Sequence, residues 1–300
     1  MKSMKIINEH DPSGFMKLSI ITINYNNKEG LQKTIDSVVN QTWRDFEWII
    51  IDGGSTDGSK ELIEQYQQHF AYWCSEPDKG VYNAMNKGIA KARGEYLNFM
   101  NSGDCIYESD TLDKVFSYNN VTEDMIYGDW VRQESDRNVF FHAPQEASLF
   151  TFYVDNICHQ AMFIKTSILK TKGYDENYHI YADWARWIEM MIDSCTSKYI
   201  PVTICYYDAQ NGISNTIVPE MDLELEKARA IIPNNFRLVL DRYHIDKKKL
   251  IKLENNLIIK DVYMLINDRP LYCRLVHFGL IFLKGVKKII EGVSGNSIKP

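Results

Sequence analysis

The chain has 300 residues, 45% of them hydrophobic, and carries 34 basic against 40 acidic side chains for a net charge of −6. That is enough apolar material for one large domain, or for a domain with an appendage. The acidic balance, with a pI near 5.7, excludes a general nucleic-acid binder.

Residues 1–15 have no apolar core of the kind a signal peptide needs and read as a disordered leader. Lys17–Asn24 is β-branched and apolar, a strand pattern. Asn26 and Asn27 can turn the chain and cap a helix over Glu29–Asn40, with Leu31, Ile35, Val38 and Val39 on one stripe. Glu47–Asp52 is the second strand. Neither strand alternates, as expected of a parallel sheet covered on both faces. A Gly/Ser/Asp turn leads to a helix ending near Gln68. Val81–Ala92 reads as a helix stopped by Gly94 as its C′ residue, and Glu95–Met100 as the next strand. Ser109 or Asp110 opens a short helix. Strands at Ile126–Arg132 and Val139–His142 mark a change from βα units to a mixed sheet. Ala161–Lys165 is a further strand pattern, Gly173–Asn177 a turn, and Asp183 starts a helix containing Trp184, Trp187, Ile188 and Met191. Lys198–Tyr206 is the last clear strand.

Beyond about residue 217 the pattern becomes helical: Glu220–Ile231, Lys247–Ile266 and Leu271–Glu291, separated by Pro233 and Pro270 and ended by Gly292. The expected organisation is a leader (1–15), a catalytic α/β domain (16–217) and a helical extension (218–300). The most apolar run, Leu275–Leu283, is too short to cross a bilayer. The six cysteines, at 74, 105, 158, 195, 205 and 273, form no CxxC pair. They read as reduced thiols in a cytosolic protein.

Carboxylates stand where the strand patterns end. Ile49-Ile50-Ile51 runs into Asp52-Gly53-Gly54-Ser55-Thr56-Asp57-Gly58, and Phe99-Met100 into Asn101-Ser102-Gly103-Asp104, with Glu76-Pro77-Asp78 between them. Ligands of open α/β sheets bind beyond the carboxyl ends of the strands. Acids there suit a sugar nucleotide, accepting from base and ribose and holding a divalent cation against the diphosphate.

These stretches, with Thr22-Ile23-Asn24-Tyr25-Asn26 and the Ala84-x-Asn86-x-Gly88-Ile89-x-x-Ala92-x-Gly94 run, resemble the family 2 glycosyltransferases over about residues 17–215. Within that family the chain is similar to bacterial enzymes that build surface polysaccharides. The resemblance implies a GT-A fold, a mixed, mainly parallel sheet flanked by helices, and inverting transfer from a nucleotide-sugar, a UDP-sugar. It implies that Asp52 accepts from the uracil imide, that Asp78 and Glu76 meet the nucleoside, and that Thr22, Tyr25, Asn26, Arg93, Ser102 and Gly103 belong to the donor site. Asp104 is the implied ligand of Mg2+ or Mn2+, although the family's paired acids are reduced here to one. His159, in His159-Gln160, stands as a second candidate for the metal, the diphosphate or the acceptor. Asp183, in Tyr181-Ala182-Asp183-Trp184, resembles the general base; as a helix-cap residue it has a second reading. Trp184 and Trp187 have two readings, stacking on an acceptor sugar and core packing, of which core packing is preferred.

The implied acceptor is a glycan or a polyprenyl-linked oligosaccharide, which places the enzyme in the cytoplasm, peripheral to the inner face of the plasma membrane. The stripe of Leu271, Leu275, Phe278, Phe282, Val286 and Ile289, beside Arg269, Arg274, Lys284, Lys287 and Lys288, suits an anionic lipid surface or packing on the core. Two other readings stand beside this one: a nucleotidyltransferase, which lacks its basic glycine loop here, and a degenerate domain that binds nucleotide-sugar or scaffolds without catalysis.

Overall fold

A computed structural model describes residues 16–117, 121–210 and 221–254. The expected leader, Cys273 and the Leu271–Glu291 helix lie outside the described residues. Contacts divide the chain after Arg237. The first unit holds every strand found among the described residues. The described part of the second, from Leu238, continues one helix, and no helix among the described residues is long and apolar enough to cross a membrane.

The chain opens with β1 (Leu18–Asn24), α1 (Lys28–Val39), β2 (Phe46–Asp52), α2 (Ser59–Tyr66), β3 (Tyr72–Ser75), α3 (Val81–Lys91) and β4 (Tyr96–Phe99). β1 is buried at all 7 positions and β2 at all but its first, so both sheet faces are covered. That is why neither strand alternates. β3–β2–β1–β4 run parallel, and the register sets Asn24 beside Asp52 and Asp52 beside Ser75. Three polar residues therefore line up at the carboxyl ends of three strands.

The mixed half follows: β5 (Cys105–Ile106), α4 (Thr111–Phe116), β6 (Met125–Gln133), β7 (Asn138–Phe141), α5 (Leu149–Val154), β8 (Met162–Lys165), α6 (Thr166–Thr171), α7 (Ala182–Ile192) and β9 (Ser197–Asp208). The sheet order is β3–β2–β1–β4–β8–β6–β9–β5, with β7 on β6. β8 runs antiparallel to β4, so the start of β8 lies beside the end of β4. β5 is antiparallel to β9, with Cys105 opposite Tyr206, which sets Asp104 near the end of β9. α8 (Met221–Arg229) and α9 (Asn234–Glu254) close the described chain.

Some local expectations change. Gly94 is not among the glycines with positive φ, so it is no left-handed helix terminator. A Cβ there would lie 2.4 Å from the Leu18 carbonyl carbon, so the glycine is needed where the turn after α3 passes against β1. Pro233 does not leave a long gap after α8. It precedes α9, whose Phe236 and Arg237 N–H groups donate to the Pro233 carbonyl, so this helix begins 13 residues before the expected Lys247.

Candidate active site

Asp52 ends β2 and is fully buried. Its Oδ1 accepts from Asn24 Nδ2 (2.7 Å) and Ser55 Oγ (2.5 Å), its Oδ2 from Ser55 N (2.9 Å) and Ser75 Oγ (2.6 Å). Burial works against the charge, but the hydrogen bonds from Ser55, Ser75 and Asn24 together hold the carboxyl below its ordinary value. The loops after β1 and β2 are laced together. Asn26 N donates to Ser55 Oγ, Thr56 N to Asn26 Oδ1, and Lys28 N to Asp57 Oδ2. Asn27 caps α1 by accepting from Gly30 N, while its amide donates to the Ser102 carbonyl. Gly53 forms a cradle: a Cβ there would meet Asp78 Oδ2 at 2.6 Å and the Tyr25 ring at 3.1 Å. Tyr25, Asn26, Asp52, Asp78, Ser102 and Gly103 therefore converge on one end of the sheet.

Three of the expected donor residues do not join them. Thr22 is buried, and its hydroxyl donates to the Met100 carbonyl and accepts from the Trp48 indole, so it serves the core. Arg93 pairs with Glu47 (2.8 Å) near the amino end of β2. Five residues of strand, roughly 17 Å at ~3.3 Å each, separate that pair from Asp52. Glu76 places its backbone N–H on the Asp52 carbonyl, but its carboxylate is exposed and taken by Lys87 (2.8 Å).

Asp104 is buried in the loop after β4. Its Oδ2 accepts from Gln160 Nε2 (2.6 Å) and its Oδ1 from Asp208 N (2.9 Å). Burial pushes its pKa up to about 6, against the pull of those two bonds. Gly103, at φ 106°, lets the loop turn, and a Cβ there would meet Asp208 Oδ2 at 3.1 Å. A second carboxylate, from β9, thus stands beside the position where the acid cluster is interrupted. Among the described residues no group of three or more His, Cys, Asp and Glu could hold a metal by itself. Two carboxylates fit Mg2+ or Mn2+ that takes its remaining ligands from diphosphate oxygens and water.

His159 is not free to be a metal ligand as it stands. Its Nδ1 lies 3.1 Å from Asp183 Oδ2 and its Nε2 3.0 Å from Asn101 Nδ2. Burial lowers its pKa, but the hydrogen bond to Asp183 and that residue's charge outweigh it and raise the value. Asp183 is the second residue of α7, after Tyr181 as N-cap, so it is not the cap. It is 8% exposed. Its Oδ1 accepts from Trp184 N (2.8 Å) and lies 3.3 Å from the Tyr82 hydroxyl, which also meets the Ile180 carbonyl. Beneath it, Tyr174 packs against Tyr82, Phe99 and Trp187 with ring centroids 5.4, 5.7 and 6.1 Å apart. This cluster joins α3, β4 and α7. Trp187 is buried there, as expected of a core residue. Trp184 is half-buried and donates its indole N–H to the Phe152 carbonyl.

Sequence reading missed Tyr82, Asp208 and Glu224. Glu224, on α8, accepts from the backbone N–H groups of His179 (2.7 Å), Ile180 (3.0 Å) and Tyr181 (3.3 Å), and lies 2.8 Å from His179 Nδ1. It braces the segment that delivers Asp183. In the sequence it is one acid among several on a charged helix, which any solvated helix also shows.

A profile of the family described as Glycosyl transferase family 2 matches residues 19–190. A PGL/p-HBAD biosynthesis glycosyltransferase of Mycobacterium tuberculosis is 33% identical over 207 residues, covering 67% of this chain and 80% of that protein. An uncharacterised glycosyltransferase of Methanocaldococcus jannaschii is 30% identical over 208 residues, 65% of this chain and 71% of the relative. Among solved structures, residues 1–349 of S. aureus TarS in complex with UDP-GlcNAc superpose with a TM-score of 0.59 at 19% identity, covering 72% of this chain and 66% of that one. The mannosyltransferase PcManGT from Pyrobaculum calidifontis, in complex with GDP-Man and Mn2+, gives 0.55 at 17% identity over 91% of this chain and 81% of that one. At such identities these structures speak for the fold, which is GT-A. With a profile match over more than half its length and relatives a third identical, the chain belongs to glycosyl transferase family 2.

Proposed function

We propose that this chain is an inverting hexosyltransferase that moves a sugar from a UDP-sugar to a hydroxyl of a glycan or polyprenyl-linked acceptor in surface polysaccharide synthesis. The observation that carries the reading is Asp183: a nearly buried carboxylate, held by three neighbours, linked through His159 and Asn101 to the loop that bears Asp104.

The donor end is built by Asp52, Asp78, Tyr25 and Asn26. Asp52 is held ionised and accepts from the uracil imide by exchanging one of its present donors, of which the Ser55 and Ser75 hydroxyls can rotate away. Asp78 and the exposed Tyr25 flank the ribose across Gly53, where a side chain would block the approach. Ser102 and Gly103 bring backbone close to the diphosphate. Asp104 and Asp208 would hold a divalent cation, which when bound would offset the charge of the departing nucleoside diphosphate.

At the acceptor end Asp183 removes the hydroxyl proton as the oxygen attacks the anomeric carbon opposite the leaving group. The new C–O bond forms while the bond to the phosphate oxygen breaks, and its electron pair leaves with the nucleotide. A stable diphosphate needs no general acid, so one base suffices, worth roughly 10²–10⁴-fold. The enzyme works at the cytoplasmic face of the membrane, the sequence stripe at 271–291 supporting a lipid contact.

Thermal unfolding in the presence of UDP-GlcNAc, UDP-glucose, UDP-galactose and GDP-Man, with and without Mn2+, tests the donor half, since a ligand of the native state raises stability by mass action. The expected result is protection by a UDP-sugar that Mn2+ enhances, with slow UDP release. No protection by any nucleotide refutes the reading. Protection without turnover in the presence of acceptor lipid extracts leaves a binding domain.

A further inference from the structure

The antiparallel pairing of β8 with β4 brings His159 to the loop after β4, and its ring joins two parts of the site that the chain places 82 residues apart, Asn101 and Asp183. The Asn101 amide nitrogen faces Nε2 at 3.0 Å, and an amide nitrogen can only donate. Nε2 is therefore the acceptor and Nδ1 carries the proton, pointing at Asp183 Oδ2, 3.1 Å away. Were the amide reversed, its oxygen would accept from a protonated Nε2. In that case a Nδ1–H toward the Asp183 carboxylate requires a doubly protonated ring, whereas the arrangement as found needs only the neutral Nδ1–H tautomer.

We propose that His159 is a positioning residue for the base: its Nδ1–H fixes Asp183 Oδ2 and ties the carboxylate to the donor loop through Asn101. The proposal rests on the reading of Asp183 as base. Oδ1 is already committed to Trp184 N–H and faces Tyr82. Without His159 the carboxylate would be held at one oxygen. The ring that supplies this second hold is half-buried and packs edge-on against Phe99, ring centroids 6.5 Å apart. A carboxylate oxygen has two acceptor positions, so Oδ2 keeps one lone pair for the acceptor hydroxyl. In the transfer the acceptor proton moves to Asp183 Oδ2, the acceptor oxygen bonds to the anomeric carbon, and the phosphate oxygen leaves with the electron pair of the broken bond. His159 keeps its own proton throughout. Tying the base to Asn101 also ties its position to the loop at the diphosphate, so that base and leaving group move together.

Three variants separate this role from mere packing. In His159→Asn the side-chain nitrogen falls near Nδ1. In His159→Gln it falls near Nε2. His159→Ala has neither. Turnover is read as UDP release from the UDP-sugar that protects best, with water as acceptor, and UDP affinity is read by calorimetry. The proposal expects His159→Gln and His159→Ala to lose roughly 10- to 100-fold in kcat, the worth of one hydrogen bond to a charged group. It expects UDP affinity and donor KM to stay within about 3-fold, and His159→Asn to recover most of the loss. Equal losses in the Asn and Gln variants, or better activity in Gln than in Asn, would overturn it. So would loss of UDP binding in all three, which would make the histidine part of the donor site. A measurement without substrate is nitrogen NMR of histidine-labelled protein, assigned by the signal missing in His159→Asn. It should show a protonated Nδ1 that shifts in Asp183→Asn; an unprotonated Nδ1 overturns the proposal. If Asp183→Asn itself keeps its turnover, the base reading has failed, whereas an inactive Asp183→Asn with indifferent His159 variants sinks the positioning role alone.

Discussion

Asp52 and Asp183 are both buried carboxylates held by several donors, but the donors come from different distances along the chain. Asp52 is fixed by Ser55, Ser75 and Asn24, at separations of 3, 23 and 28 residues. All three belong to consecutive βα units whose strand ends the parallel register sets side by side. Asp183 is fixed by Trp184 next to it, by His159 at 24 residues and by Tyr82 at 101, while Glu224 braces its approach from α8. Asp104 belongs with the second kind, since it accepts from the Asp208 N–H 104 residues away. The proposed nucleotide end is thus assembled by local units, and the proposed catalytic end by segments remote from one another in the chain.

The first prediction strikes the remote end. Asp183→Asn keeps the side-chain shape and its place in α7 but cannot take a proton. Turnover should fall ~10²-fold or more, while UDP affinity, set at the other end, stays unchanged. A variant that retains more than about a tenth of wild-type kcat refutes the base.

The second strikes the local end. Asp52→Ala removes an ionised acceptor for the base and frees four donors around it. Losing a hydrogen bond to a charged group costs roughly 1.5–3 kcal/mol, so UDP affinity measured by calorimetry should fall by about 10- to 100-fold. Unchanged affinity would move the uracil site elsewhere.

The third asks how far the remote end depends on its brace. Glu224→Gln should cost about 2 kcal/mol of stability at neutral pH, because three backbone N–H groups exchange a charged acceptor for a neutral one. Burial disfavours the Glu224 charge, but the N–H groups of His179, Ile180 and Tyr181 outweigh it and hold the pKa below the ordinary 4.5. A depressed value stabilises the fold above the unfolded pKa and is lost as pH falls through the folded one. The gap between wild type and variant in urea unfolding should therefore be full at pH 7 and shrink below about pH 4.5. A gap that is constant with pH would mean the carboxylate charge contributes nothing. Turnover should fall only a few-fold, since Asp183 keeps its other partners.

The same contrast explains what could be read in advance. β1, β2 and β4 and their helices were legible because each is a long apolar or amphipathic run bounded by Asn, Gly or Asp. The acids at their ends were legible because the motifs are contiguous. β3 was missed: its four residues, Tyr-Trp-Cys-Ser, are all half-buried and carry neither alternation nor an apolar run. α5 was missed because six residues are too short for a period, although Ser148 and Thr151 cap it reciprocally. The expected place of Arg93 in the donor site failed for a related reason. Its motif neighbours are helical and contiguous, but the residue follows the end of α3, at the amino ends of the strands, where Glu47 takes it. Tyr82, Asp208 and Glu224 could not be found at all, since their roles exist only after distant segments pair.

Single displacement by one base inverts the anomeric centre, so the configuration of the released sugar tests it most directly. When the enzyme hydrolyses an α-linked UDP-sugar in the absence of acceptor, proton NMR of the first minutes, before mutarotation, should show the β-anomer with its large anomeric coupling. Initial release of the α-anomer would require a double displacement or a front-face mechanism, and would contradict the account.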